Sequence, residues 1–453
     1  MTLNPEIFDR LTSSSLGAKA MEVADIIQNA GFECWWIGGA TREMFSGNIP
    51  VEIDMTTSAR PDELMKLFPK NDNAGAEFGT VIVSHKGHEY EITTFREDDS
   101  ASDGRHPESV KFGSRENDAR RRDATVNCIY FDPVSGNIFD PYSGIDDLKE
   151  RLVRFIGEPS VRIKHDALRS LRMVRLRAAI NGQYHPDTYL ALGGEAHLVK
   201  ILSGTRILEE LQKMLELKSP GRALEDLWEL QIMKEIIPEL HACKGIPQPK
   251  DFHNEGDVWD HLLKCTSAFT DDHGIDIRLA ALFHDIGKAR TFAIKDRIRF
   301  DSHAEVSAGL ASGILKRLQM PRNRTDKIVW LVSHHMMMGT FGTLSDERKA
   351  HWYFHPWFSE LLQLFYLDIA GTEPPDYSLY EGIIKDYDLF LNSHPRPEKP
   401  LLKGDEVMKI LGLSPGEAVG RALAELYEAQ IEKKVTKKSE AREFMKKLNT
   451  KEK

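Results

Sequence analysis

Apolar positions over residues 15–31 recur at helical spacing. Leu16, Met21, Val23, Ala24, Ile26 and Ile27 lie mostly on one face, and Gly31 stops the run. The pattern then changes to short strand-like runs. Cys34-Trp35-Trp36-Ile37 ends in Gly38-Gly39, and Val51-Glu52-Ile53-Asp54-Met55 alternates. Residues 79–83 and 90–95 follow, with Lys86-Gly87-His88 as a turn between them. Pro61 with Asp62-Glu63 predicts a helix over 61–68. The first part of the chain therefore reads as a small mixed sheet with flanking helices. From residue 158 onward helical periodicity dominates, most clearly over 163–180 and 205–217, with no repeat at a fixed period. Gly245, Pro247, Pro249 and Gly256 predict a linker over 243–257, and Pro395, Pro397 and Pro400 a second break. The C-terminal stretch, alternating Lys, Glu and small residues, reads as a solvated helix or frayed tail. The fold class expected is α+β.

A chain of 453 residues predicts about two to four domains. At 41% hydrophobic its composition is ordinary for globular domains. No apolar run approaches the ~18–20 residues of a membrane span, so no membrane partner is expected. The first residues lack a basic region followed by an apolar stretch, so no secretory signal is expected. Cys34, Cys128, Cys243 and Cys265 are far apart, which fits a reducing cytoplasm. The net charge of −10 argues weakly against a nucleic-acid partner. It hides local stripes, however. Residues 162–177 carry six Lys or Arg against the single acid Asp166, and Arg120-Arg121-Arg122 forms a second knot. Focused basic stripes on an acidic chain can still bind RNA or nucleotides.

The first candidate chemistry lies where a strand ends in Gly38-Gly39. Glycines admit phosphate close to the backbone, a helix start points N–H groups at it, and Arg42 adds a fork of donors. Glu52 and Asp54, two apart on a strand, share a face and can hold Mg²⁺ between an attacking hydroxyl and a triphosphate.

The order of these elements resembles the head of class II tRNA nucleotidyltransferases (CCA-adding enzymes) and bacterial poly(A) polymerases. Thr93-Thr94-Phe95-Arg96-Glu97-Asp98, leading to Asp103-Gly104-Arg105-His106-Pro107, resembles the family's flexible loop. Residues 118–127 resemble its Arg-Arg-Asp motif, and His165-Asp166-Ala167-Leu168-Arg169 with Arg172 and Arg175 its nucleotide-reading motif. Arg206 to Leu211 resembles the next helical motif. The resemblance implies a polymerase-β-like head over 1–155, a helical neck over 156–245, a body over 250–375 and a tail over 395–453. It implies CCA addition to the 3′ end of tRNA from CTP and ATP with two Mg²⁺ ions. A poly(A) polymerase or an A-adding enzyme is the same-class alternative. In the family, enzymes that add only CC lack the flexible loop, whereas residues 96–110 are complete here.

Physical chemistry agrees with these assignments. Arg121 and Arg122 can grip phosphate, and Asp123 can accept from a ribose hydroxyl. Asp166 and Arg169, three apart, would be neighbours on a helix face. An acceptor beside donors suits the amino group and ring nitrogen of both adenine and cytosine, and refuses guanine and uracil. Glu91, on a neighbouring strand, is a candidate third carboxylate. Glu52, Glu43 and His165 stand where the family usually has Asp, Asp and Glu.

A second constellation follows. His261 lies on an expected helix, His284-Asp285 lies inside a strongly apolar one, and Asp368 sits in another. A buried His-Asp pair needs a partner, and a metal is one such partner. The set His261, His284, Asp285 and Asp368 resembles the metal site of HD-superfamily phosphohydrolases. His303 and His334 or His335 stand where two-metal members carry further ligands. Such donors suit Mg²⁺ or a divalent transition metal. The different-class alternative is a metal-dependent phosphohydrolase whose head only binds RNA. Leu402 to Gly420 resembles the tail of HD-bearing nucleotidyltransferases, with Gly416 and Gly420 expected at close backbone approaches.

Overall fold

The computed structural model describes residues 5–97, 111–249, 254–393, 399–431 and 434–449. The chain divides into two compact units, Met1–His241 and Ala242–Lys453.

The first unit opens with helices Pro5–Ser13 and Ser15–Asn29, the second capped by the Ser14 side chain on the Gly17 N–H. Strands β1 (Cys34–Ile37), β2 (Asp54–Thr57), β3 (Asn71–Asp72), β4 (Thr80–His85) and β5 (His88–Thr94) follow. Short β6 (Arg96–Glu97) and β7 (Lys111–Phe112) pair with each other. β8 (Tyr130–Phe131) and β9 (Ile138–Phe139) complete one sheet of order β3-β4-β5-β2-β1-β8-β9. All pairs are antiparallel except β2 with β5. β1 is an interior strand buried along its length, so it reads as a continuous apolar run. Its Trp36 packs in one core with Val23, Ala24 and Ile27 of the second helix.

The expected helix over 163–180 is in fact two, Pro159–His165 and Leu168–Ala179, broken at Asp166-Ala167. The Asp166 backbone is extended there, and its carboxylate accepts from the Leu168 N–H, an alternative to helical bonding that aspartate offers. Helices Gly204–Leu215 and Pro220–Glu229 pack against Leu168–Ala179.

Among its described residues the second unit has one strand pair, the hairpin Phe292–Ile294 with Ile298–Phe300, and its other elements are helices. Helices Val258–Ser267, Ile275–Phe283, His303–Arg317, Arg322–His334 and Phe358–Gly371 form its core. The described part of the expected linker is packed rather than loose. Cys243 and Gln248 are buried, and Pro247 bridges to Asp257. Residues 250–253 and 394–398 lie outside the described residues. The C-terminal helix Lys438–Asn449 is not frayed: it buries Ala441 and Met445 against Leu402, Val407 and Leu426. The expected close approaches at Gly416 and Gly420 are absent, since a Cβ at either meets nothing within 4 Å among the described residues.

Candidate functional site

β1 runs into Gly38, whose φ of +70° favours glycine, and the helix Gly39–Phe45 starts at once. Ile37 pairs with Asp54, so the first residue of β2 lies beside this turn. A Cβ on Gly38 would stand 3.7 Å from Asp54 Oδ2. One on Gly39 would stand 3.9 Å from Glu52 Oε1 and 3.8 Å from Arg42 Nη2. Two carboxylates and a guanidinium thus face one glycine turn. β2 begins later than the sequence pattern predicts, so Glu52 precedes the strand instead of lying on it. It still shares the site with Asp54, because only the buried Ile53 separates them. The parallel register of Met55 with Ile92 sets Glu91 beside Asp54. Burial, then Glu52 and Glu91, push the Asp54 carboxyl up to about 6. Such convergence is costly without a cation, and an oxygen-only donor set suits a hard divalent ion.

The arginines are held by a buried frame. Asp118, fully buried, accepts from Arg121 Nη2 at 2.6 Å, Arg122 Nη2 at 3.0 Å and Tyr130 Oη at 2.7 Å. Arg42 Nη1 donates to Asn127 Oδ1 at 2.6 Å, and Asn127 Nδ2 donates to Asp123 Oδ1 at 3.3 Å. Arg172 Nε donates to Asp123 Oδ2 at 2.7 Å. One chain of hydrogen bonds therefore links helix Leu168–Ala179 to the glycine turn. Burial works against ionised Asp123, but Arg172 and these donors hold it below the usual carboxylate range. Asp118→Ala is expected to cost about 3–5 kcal/mol, because two partly buried guanidiniums lose their anion. A urea unfolding midpoint far below wild type checks this.

The helix-face pairing of Asp166 with Arg169 is corrected by the break between the helices. The Asp166 carboxylate takes Arg206 Nη2 at 3.0 and 3.1 Å, while Arg169 donates to the carbonyls of Arg162 and Arg121. Arg175 Nε donates to Glu210 Oε2 at 2.7 Å, a second tie to helix Gly204–Leu215. Of the expected flexible loop, residues 98–110 lie outside the described residues.

In the second unit, five helices or helix ends bring the predicted His and Asp residues together. His261 Nε2 lies 3.3 Å from His284 Nε2 and 3.2 Å from Asp368 Oδ1. His284 Nε2 lies 3.4 Å from both Asp285 Oδ2 and Asp368 Oδ1. The other Asp285 oxygen lies 3.3 Å from His303 Nε2 and 3.6 Å from His335 Nε2. His335, not His334, joins the centre; His334 stacks on Trp330. Every Nδ1 of the four imidazoles faces away, toward an acceptor. His284, His303 and His335 donate to the carbonyls of Ala281, Phe300 and Val332 at 2.8, 2.9 and 2.7 Å. His261 Nδ1 lies 3.3 Å from the buried Glu255 carboxylate. That leaves the Nε2 atoms turned toward one another and toward carboxylates, an arrangement that ring protons or a shared metal ion would satisfy. Asp285 Oδ1, His303 Nε2 and His335 Nε2 are buried with no hydrogen-bond partner among the described residues. Burial disfavours charge on His284, yet Asp285 and Asp368 push its ring up to about 10. These donors fit divalent metal ions. The centre borders a cavity of about 720 Å³ that Arg297 and Arg299 also line.

Three families match the chain. Residues 34–154 match the poly A polymerase head domain. Residues 183–244 match the probable RNA and SrmB-binding site of polymerase A, and 259–392 match the HD domain. The CCA-adding enzyme of Ligilactobacillus salivarius is 36% identical over 251 residues, 54% of this chain and 62% of its own length. That of Geobacillus stearothermophilus is 38% identical over 207 residues, covering 46% and 51%. The chain thus spans about half to three-fifths of the curated relatives it matches. Among solved structures, the Bacillus stearothermophilus CCA-adding enzyme in complex with CTP superposes with a TM-score of 0.67 at 23% identity, over 97% of this chain and 99% of that one. The Thermotoga maritima CCA-adding enzyme complexed with tRNA gives 0.55 at 16%, over 98% of each. At these identities the likeness is one of fold. No helix among the described residues is long and apolar enough to cross a membrane.

Sequence patterning missed several residues that serve the two centres. Asp118 was legible only as part of a motif. Lys288, 2.6 Å from Asp285 Oδ2, and Cys265, 3.6 Å from His261 Nε2, each lie one helical turn after a predicted ligand, a spacing that could have flagged them. Glu255 and Gln248, the latter accepting from Lys288 at 2.7 Å, carry no sequence signal.

Proposed function

We propose that the chain is a template-independent RNA nucleotidyltransferase that adds C and A from CTP and ATP to the 3′ end of tRNA. The convergence of Glu52 and Asp54 on the Gly38-Gly39 turn, with Glu91 beside Asp54, carries the reading. Glu52 and Asp54, with Glu91 alongside, would hold divalent ions, with Mg²⁺ the choice for an all-oxygen site. Bound there, such ions would acidify the primer hydroxyl and neutralise the triphosphate. Gly38 and Gly39 leave the backbone open to phosphate, and Arg42 is aimed at the turn. Arg121 and Arg122, fixed in direction by Asp118, would clamp phosphate oxygens, so little ordering remains to be done on binding. Asp123 would serve the ribose side while fixing Arg172 and Asn127. Asp166 and Arg169 would read the base, with Arg206 holding the Asp166 carboxylate in place and Arg172 and Arg175 backing that wall. On this reading, residues 1–155 form the head, 156–245 the neck, 250–375 the HD-like body and 395–453 the tail. Four unpaired cysteines, all buried, support a reducing, cytoplasmic setting.

The deciding experiment incubates the chain with tRNA lacking its CCA end and supplies CTP, ATP or both, and the products are sequenced. Complete CCA ends are expected only with both nucleotides. A run of A would favour a poly(A) polymerase, and no addition would reject the reading. Base selectivity gives a finer test. In Asp166→Ala nothing accepts from the exocyclic amine, and Arg206 loses its anion. The preference for ATP and CTP over GTP and UTP is expected to fall about 10–100-fold. Equal loss of kcat/KM for all four nucleotides would return Asp166 to a structural role.

The centre around Asp285 supports a second activity in the same chain, metal-dependent phosphohydrolysis. Its support is the four imidazoles and two carboxylates turned inward beside a cavity with basic lining.

A further inference from the structure

We propose that Cys265 is a further ligand of the buried centre, and that its sulfur makes the half containing His261 and His284 a site for a borderline-soft ion of the Zn²⁺, Co²⁺ or Fe²⁺ class. This rests on reading that centre as a metal site.

Cys265 lies four residues after His261 on helix Val258–Ser267, so both side chains project from one face. Both are completely buried. The donor atoms of His261, Cys265 and His284 all lie within 4.8 Å of one another. The separations have the size that shared coordination requires. With bonds of about 2.3 Å to sulfur and about 2.0–2.1 Å to nitrogen, tetrahedral angles give a nitrogen–nitrogen edge of about 3.3 Å and a sulfur–nitrogen edge of about 3.6 Å. The structure has 3.3 Å between the two Nε2 atoms and 3.6 Å between Cys265 Sγ and His261 Nε2. Asp368 Oδ1, 3.2 and 3.4 Å from the two imidazoles, supplies an oxygen at matching spacing.

Two other observations bear on the sulfur. In the neighbouring half of the centre, Asp285 Oδ1, His303 Nε2 and His335 Nε2 are buried without hydrogen-bond partners among the described residues, as ligand atoms of a cation would be, and this stands independently of the cysteine. Helix Phe358–Gly371 also yields to this pair at Gly371. A Cβ there would fall 2.4 Å from Cys265 Sγ and 2.7 Å from His261 Cε1. Only glycine lets the helix close over sulfur and imidazole together.

The two halves differ in donor chemistry. Asp285, His303 and His335 offer oxygen and nitrogen alone, which Mg²⁺ or Mn²⁺ tolerates better than it tolerates sulfur. A thiolate shifts the His261 half toward softer ions. Binding there exchanges the thiol proton for the metal, and the proton leaves to solvent with no change of oxidation state.

The test uses the full chain, stripped with a chelator and titrated with Co²⁺ while absorbance is followed. A thiolate-to-Co²⁺ charge-transfer band in the near ultraviolet is expected from wild type and is expected to vanish in Cys265→Ser. Zn²⁺ affinity, measured against a chromophoric chelator, is expected to drop at least about 10–100-fold, the range that loss of even an outer partner costs. Mn²⁺ affinity should fall by less. Cys265→Ala repeats the test should the serine variant fail to fold by circular dichroism. An unchanged band and unchanged Zn²⁺ affinity in either folded variant overturn the inference. His284→Ala separates the two failures. If it abolishes binding while Cys265→Ser does not, the metal centre stands and the sulfur ligand falls. If wild type binds no divalent ion in this unit, the metal-site reading falls, and the cysteine's role falls with it.

Discussion

Asp54→Ala is expected to lower nucleotide addition at least about a thousandfold, which abolishes it in an ordinary assay. Asp54 is the half-buried member of the carboxylate set, with Glu52 and Glu91 beside it. Stabilising developing charge through a bound divalent ion is worth several kcal/mol, and each ~1.4 kcal/mol is tenfold in rate. Its carboxyl is pushed up to about 6 by burial and by its two neighbours, so the bare site favours a cation strongly. Glu52→Asp is expected to retain or raise the rate. Glu52 is exposed and lies outside the strand, so no strand pairing fixes its backbone. Single-turnover addition to a tRNA lacking its terminal A, with each variant's fold checked by circular dichroism, measures both. Near wild-type addition by Asp54→Ala would remove this carboxylate set from the reaction.

Much of the head was legible because its signals are local. The apolar run 34–37, the glycine pair and the alternating strand after it obey short-range rules, and they bring Asp54 beside the turn in the structure. The break at Asp166 was not legible. Helical periodicity continues through residues 163–180, while in the structure the Asp166 carboxylate is bonded to the Leu168 N–H and to Arg206 on another helix where the backbone turns away. The His and Asp residues of the second unit stood out because charged groups in apolar helices are costly. Their supports did not. Glu255 reaches His261, and Gln248 reaches Lys288, from a stretch whose prolines and glycines read as linker. Prolines and glycines mark where helices stop, but they do not reveal that the intervening chain is packed against a buried centre. The C-terminal helix failed in the same way. Its lysines suggest a solvated tail, and two buried positions, Ala441 and Met445, decide otherwise.

Asp285→Ala combined with His284→Ala is expected to abolish high-affinity divalent-metal binding in the second unit and any phosphatase or phosphodiesterase activity that depends on it. Asp285 is the pivot: one oxygen faces His284 and Lys288, the other His303 and His335. Its removal strips a shared donor from both halves of the centre and leaves Lys288 buried with Gln248 as its remaining hydrogen-bonded partner. Losing that anion beside a buried lysine costs about 3–5 kcal/mol, so the midpoint of thermal unfolding in the second unit should fall as well. Nucleotide addition is expected to be largely retained, because the carboxylates at the Gly38-Gly39 turn and the arginines around Asp118 all belong to the first compact unit. The readouts are metal content after chelation and reloading, release of phosphate from a nucleotide monophosphate, ring-opening of a cyclic phosphodiester to its monoester, and CCA addition on the same preparation. Loss of both activities in a variant folded by circular dichroism would mean that the two centres do not work independently. Retained metal content would mean that Asp285 does not hold the ion.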